Sequence, residues 1–301
     1  MVDVSAPALP PLEVLRWKEG YAEHLAGPLA AEMFAELGTP RDQGTDSGPE
    51  MELDSLRQAQ NFWMSTDMVT IIDTAQATMP DDDFVVAETP APHGFLLMER
   101  PVRLRCNERT CDILHVLQGF AWHPATRTLF GRVDDGVTVS WLSPNEPDLP
   151  VSVFGPLGSF GDSLFLPVGH PISNQPSREA GVLNAQSEVL CRYVRATWAL
   201  MDAPLADIAE PAVPRPLRRR LGKAGIPSTL LTVDLKSRHR PPSGTAGEAP
   251  DWSHRWMVRG HWRHLKHARF KNPRAVWIPE YVKGPEDAPL VVKDKVITVT
   301  E

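Results

Sequence analysis

Phe95-Leu-Leu-Met-Glu-Arg-Pro-Val-Arg-Leu104, then Ile113-Leu-His-Val-Leu-Gln-Gly-Phe-Ala-Trp122, then Val137-Thr-Val-Ser-Trp-Leu142 is the stretch that decides the fold. Each run has strand length and is rich in β-branched, aromatic and leucine side chains, and the segments between them are short. With Phe84–Glu88 before them and Thr128–Val133 between the last two, they read as an antiparallel meander, whose clearest turn is Asp134-Asp135-Gly136. Strands joined so briefly form one sheet, and helices pack on a face of it. The fold class expected is α+β.

Working outward, Leu12–Leu37 is rich in Leu, Ala and Glu and reads as a helix interrupted at Gly27-Pro28. Residues 39–49 read as a polar loop. A second helix is expected from Glu52 to Thr78, anchored by Leu53, Leu56, Phe62, Trp63 and Ile71 and stopped by Asp81-Asp82-Asp83. On the other side, 151–175 is irregular, and Ser177–Ala203 reads as a long helix with Val189, Leu190, Val194, Trp198 and Leu200 on its buried stripe. The prolines of Pro211-Ala-Val-Pro-Arg-Pro216 stiffen the passage into a short basic helix at Leu217–Lys223. A strand at Leu230–Leu235 follows, then a loop over 237–250, and Val296–Val299 is a closing strand. The organisation expected is an acidic helical and meander region, 1–210, and a basic C-terminal β module, 211–301, with a single integrated domain as the alternative.

Charge marks out the C-terminal end. From Arg215 to Glu301 there are 18 Lys+Arg against 8 Asp+Glu, a net of +10; the whole chain carries −7, which leaves −17 for 1–214. Such asymmetry calls either for an anionic partner or for an electrostatic match between the two halves. The 42% hydrophobic and 23% charged content is that of a globular protein with room for one large or two modest domains. No apolar run is long enough to span a bilayer, and the N-terminus lacks the basic start and apolar stretch of a signal peptide, so a cytoplasmic protein with no membrane partner is expected. Three irregularly spaced cysteines make no disulfide framework.

The chemical character concentrates in Trp252-Ser-His-Arg-Trp-Met-Val-Arg-Gly-His-Trp-Arg-His264, with Arg274-Ala-Val-Trp-Ile-Pro279 and Tyr281-Val-Lys-Gly284. Trp252, His254, Trp256, Val258, Gly260 and Trp262 share one parity; Ser253, Arg255, Met257, Arg259, His261 and Arg263 share the other. That alternation reads as a strand with an aromatic core face and a cationic face. Guanidiniums beside aromatic rings suit phosphates, stacked bases or the acidic surface of a partner. Arg218, Arg219 and Arg220 offer further phosphate contacts, although three adjacent arginines on a helix cannot all point one way.

No metal, cofactor or catalytic residue is expected. His254, His261, His264 and His267 have no cysteine or carboxylate among them, and along a continued strand His261 and His264 point to opposite faces. Cys106, Cys111 and His115 fit core positions. Phosphate-binding loops, nucleophile elbows and zinc-protease helices are absent. His93, beside Gly94, is a candidate general base with no identifiable nucleophile next to it, so a hydrolase or nuclease using His93 or His261 stands as the alternative.

Val258-Arg-Gly-His-Trp-Arg263 with Arg274-Ala-Val-Trp-Ile-Pro279 resembles the C-terminal signature of the AcrVA-two-like family, found in phages, mobile elements and actinobacteria. The matching residues are Arg259, Gly260, His261, Trp262, Arg274, Trp277 and Pro279. Met79-Pro-Asp-Asp, Gln118-Gly-Phe and the helix around Trp198 with Asp202-Ala-Pro after it have similar counterparts upstream. The resemblance implies a shared α+β fold and a non-enzymatic, anti-CRISPR-like activity tied to recognition of a nascent chain during translation. The Tyr281-Val-Lys-Gly-Pro-Glu-Asp tail is closer to members of the family with no assigned role. Residue chemistry and resemblance together lead to a binding protein that engages RNA, the translating ribosome, or a nascent or acidic peptide. Arg259, His261, Arg263, Arg274, Arg218, Arg219 and Arg220 are its candidate contacts, and Gly260, Trp262, Trp277 and Pro279 form the structural motif that holds them. The alternative beside the enzyme is a structural interaction protein of a mobile element.

Overall fold

A computed structural model describes residues 7–27, 49–107, 112–129, 132–143, 160–172, 185–236, 254–264, 275–285 and 288–291. The chain forms two compact units, Met1–Lys236 and Ser237–Glu301. The charge count groups 215–236 with the basic end, whereas by packing these residues belong to the first unit, because they supply a helix and a strand to its core and sheet.

In the first unit the elements are α1 (Glu13–Leu25), α2 (Pro49–Gln58), β1 (Gln60–Met64), α3 (Thr66–Gln76), β2 (Gly94–Asn107), β3 (Asp112–Leu129), β4 (Arg132–Leu142), β5 (Phe160–Pro167), α4 (Ala185–Met201), β6 (Ala206–Ala209), α5 (Arg215–Lys223) and β7 (Leu230–Leu235). They build an α+β fold around a seven-stranded sheet of order β5-β4-β3-β2-β1-β7-β6. Strands β2, β3 and β4 form the antiparallel meander expected, and β5 extends it by one more antiparallel strand. Strand β1 runs parallel to both of its neighbours, β2 and β7.

Helices cover both faces of this sheet. On one, Val14, Leu15, Tyr21, Ala22 and Leu25 of α1 and Leu221 of α5 pack on Trp63, Phe95, Leu97 and Leu230. On the other, Phe62 stacks on Trp122 at 5.7 Å, and Trp122 meets Trp198 of α4 edge-on at 5.6 Å. Aromatic pairs at such separations add about 0.5–1.5 kcal/mol each beyond the area they bury.

Three local expectations are corrected. The single helix expected over 52–78 is α2, β1 and α3. Phe62, Trp63 and Met64 are buried whichever face they point to, as a central strand requires, and a short apolar run has no periodicity that separates strand from helix. Ser65 ends the strand and caps α3, its Oγ accepting from the Met68 N–H, while the same hydroxyl donates to Asp234 Oδ1 at 2.7 Å. Next, Asp134-Asp135-Gly136 is strand rather than turn. These residues pair with Arg127, Thr126 and Ala125 inside one long ladder, Thr126 Oγ1 donates to Asp135 Oδ1 at 2.7 Å, and the chain reverses between the paired Leu129 and Arg132. Lastly, Phe84–Glu88 is not a strand: Val86–Glu88 is one turn of 3-10 helix, with Val85 and Val86 exposed.

The connector after α3 is pinned by α4. Arg195, 2% exposed, forms a two-pronged pair with Glu88 at 3.0 and 3.1 Å and donates to the carbonyl of Asp82 at 2.7 Å; Arg192 donates to the carbonyl of Met79 at 2.8 Å. The acidic turn is thus held through its backbone carbonyls. Two further elements depart from expectation: β5 lies inside the interval read as irregular, and β6 adds an edge strand. Residues 177–184, 237–250 and 296–299 lie outside the described residues.

Lys18 of α1 is wholly buried. Its Nζ donates to the carbonyl of Ala59 at 2.6 Å, and burial pushes its ammonium from 10.5 down to about 7. Below about pH 7 both folded and unfolded chains hold this proton, so the native state bears the full cost of a buried charge. Between about 7 and 10.5 only the unfolded chain still holds it, so stability rises with pH. Denaturant melts at pH 7 and 9.5 are expected to show the wild type gaining about 2–3 kcal/mol relative to Lys18→Met, whereas parallel pH dependences would mean the ammonium is solvated in the fold.

Candidate nucleic-acid interface

The second unit is built from β8 (Trp256–Val258), β9 (His261–His264), β10 (Ala275–Ile278) and β11 (Tyr281–Lys283). The single strand expected across 252–262 is two strands in two ladders, β9 with β10 and β8 with β11. Both ladders nonetheless keep one register. Ile278 pairs with His261 and Tyr281 with Val258, so two residues on each side, Arg259-Gly260 and Pro279-Glu280, span the break. Pro279 has no N–H to give a ladder, which accounts for the interruption at this position.

Alternation survives the break. Trp256, Val258, Gly260 and Trp262 are half-buried, and Met257, Arg259, His261 and Arg263 are exposed. Trp277 is buried and faces its register partner Trp262 with ring centroids 5.4 Å apart and planes 65° apart. A Cβ on Gly260 would lie 2.4 Å from Cζ2 of Trp277, so the glycine is the seat of that indole. Lys283 sits over the Trp256 ring at 5.9 Å, and His254 packs against the same ring at 5.7 Å.

A segment from 288 to 291 completes the module. Arg255 donates from its backbone N–H to Pro289 at 2.8 Å and from Nε to Ala288 at 2.7 Å, while Val291 donates to the Arg255 carbonyl at 2.8 Å. Arg255 is therefore a brace, although its parity places it with the other guanidiniums. The outer face that remains presents Arg259, His261 and Arg263 beside the exposed apolar pair Met257 and Val282, which are opposite one another in the ladder. Among the described residues neither Arg259 nor Arg263 is ion-paired, and His261 Nδ1 lies 3.0 Å from the Arg259 carbonyl.

The structure thus brings together Gly260, Trp262, Trp277, Pro279, Arg259, His261 and Arg263. Arg274 lies outside the described residues. Arg218, Arg219 and Arg220 are on α5 in the first unit, with Arg220 clamped by Glu19 of α1: Nε donates to Oε1 at 2.7 Å and Nη2 to Oε2 at 2.6 Å. Of the four C-terminal histidines, His267 and the side chain of His264 lie outside the described residues, as do Cys111 and the side chains of Cys106 and His115. Among the described residues no three His, Cys, Asp or Glu side chains gather as a metal site.

A hydroxyl does stand beside His93. Ser55 Oγ is 3.0 Å from its Nδ1, and burial, followed by the charge of nearby His123, lowers the pKa of the ring. Ser55 is itself buried on α2, so the pair ties α2 to the start of β2, and among the described residues no carboxylate bonds the His93 ring.

No protein-family model matches the chain, and no curated protein matches it. Among solved structures, the crystal structure of AcrVA2 is a distant likeness: TM-score 0.43, 14% identity, over 88% of this chain and 93% of that one. No helix among the described residues is long and apolar enough to cross a membrane.

Gly260→Ala forces the Trp277 indole off its seat and is expected to cost the module about 1–3 kcal/mol, and Trp277→Ala about 3–5 kcal/mol. Arg259→Ala should stay within about 0.5 kcal/mol of the wild type. Denaturant melts followed by tryptophan emission separate these cases; three equal, small effects would place the indole in solvent.

Proposed function

We propose that this protein is a non-enzymatic, anti-CRISPR-like binding protein whose 254–291 module engages RNA, free or on the translating ribosome. The observation that carries the reading is the exposed row Arg259, His261 and Arg263, set on a backbone stiffened from behind by Trp262 and Trp277, with neither arginine ion-paired among the described residues. An exposed cation that breaks no ion pair to turn to a phosphate loses only its hydration and side-chain freedom in doing so. The apolar pair Met257 and Val282 beside it gives a base or ribose a surface to lie on. Arg274, next to β10 in sequence, joins this row in the proposal, and the resemblance of 258–263 and 274–279 to the AcrVA-two-like signature agrees with it.

Binding of a labelled single-stranded RNA, followed by fluorescence anisotropy, and co-sedimentation with ribosomes are expected to weaken about tenfold or more over a few-fold rise in salt. The double variant Arg259→Ala/Arg263→Ala should reduce the slope of log K against log salt by about 1.4. Chelation should change neither binding nor folding. If neither RNA nor ribosomes bind at low salt while an acidic peptide does, the partner is a polypeptide; RNA turnover lost in His261→Ala with binding retained would make the protein an enzyme.

A further inference from the structure

We infer that α5 of the first unit is a second phosphate-binding surface for RNA, and that its contacts are Arg215, Arg219 and Lys223 rather than the consecutive triplet Arg218-Arg219-Arg220. The inference rests on the RNA reading above and adds a site on a different unit. It follows from the way this helix is buried. Leu221 is fully buried and Leu217 packs on the same core cluster, which fixes the inward face of α5. At 100° per residue, Arg215, Arg219 and Lys223, spaced i, i+4 and i+8, fall on the opposite face, about 6 Å apart along the axis. Arg218 and Arg220 flank them on either side.

All five cations are exposed, and no acidic residue occurs between Glu210 and Asp234. The surface is therefore cationic within a region that is acidic as a whole. Among the described residues Arg215, Arg218, Arg219 and Lys223 have no ion pair, while Arg220 is committed to both oxygens of Glu19, a carboxylate that is itself buried. Turning Arg220 to a phosphate would strand that carboxylate without a partner, which holds Arg220 out of the row. Three cations in line with no competing carboxylate suit a run of backbone phosphates, and a helix face without aromatic side chains reads charge rather than base identity.

The test uses the full chain and a labelled single-stranded RNA of mixed sequence, titrated at several salt concentrations. Arg215→Ala/Arg219→Ala/Lys223→Ala is expected to reduce the slope of log K against log salt by about 2, equally for two unrelated RNA sequences, while Arg220→Ala leaves the slope at its wild-type value. Arg219→Glu, with the fold checked by its melting curve, should weaken binding further than Arg219→Ala. A wild-type slope in the folded triple variant, or a larger loss from Arg220→Ala than from Arg219→Ala, overturns the assignment. If Arg259→Ala/Arg263→Ala lowers the slope and the triple variant does not, only the α5 surface is refuted; if the wild type binds no RNA, the RNA reading falls with it.

Discussion

The first unit is organised by the placement of β1 between two parallel neighbours. A strand in that position is hydrogen-bonded along both edges and covered on both faces, so everything around it has to be supplied from elsewhere in the chain. Helices α1 and α5 cover one face and α4 the other. At its start, Asn61 reaches across to the segment that leads into β7, its amide nitrogen donating to the carbonyls of Pro227 and Thr229 at 3.0 and 2.7 Å. Lys18 closes off the Ala59 carbonyl just before it. At its end, the Ser65 N–H donates to the Val233 carbonyl at 3.1 Å. The polar contacts at both ends of β1 therefore define where it begins, where it ends and which strand lies beside it.

How much of this was legible follows from whether the deciding contacts are local. The β2 to β4 part of the meander was readable because each strand pairs with the next across a short connection, and its length, composition and polarity all agree, whereas residues 143–159 separate β4 from β5. Strand β1 was not, since Gln60-Asn-Phe-Trp-Met64 between two helical stretches continues their apolar spacing, and the strand that makes it a strand is at Leu230–Val233. The hairpin between β3 and β4 was misplaced for a different reason. Asp134-Asp135-Gly136 has good turn chemistry but lies where Thr126 and Asp135 bond across the ladder, so pairing prevailed over turn propensity. In the C-terminal module the two-faced pattern was legible from parity, whereas the ladder's interruption depends on Pro279 on the opposite strand.

Tryptophan covers glycine at two places among the described residues. Trp122 covers Gly94, its register partner, where a Cβ would come within 2.0 Å of the indole, and Trp277 covers Gly260. In each case a glycine that would otherwise weaken a strand becomes the floor for a large ring, which restores the lost side-chain packing. The first pair belongs to the central core. The second stiffens a two-stranded ribbon, which on its own is marginal, and lies behind the face that carries Arg259 and Arg263.

The separation in sequence between β1 and β7 also bears on the order of events during synthesis. The chain emerges N-terminus first, so β1 to β4 leave the ribosome long before Leu230–Leu235 exists. Until then the β7-facing edge of β1 has no strand to pair with, and that edge is flanked by Phe62, Trp63 and Met64, an apolar segment of the kind that recruits foreign strands. Closing the sheet between two such distant segments is a step of high contact order and therefore slow relative to the meander. A truncated or stalled chain ending before β7 would be left with a sticky, half-built sheet, so the penalty for interrupted translation falls on solubility before it falls on binding.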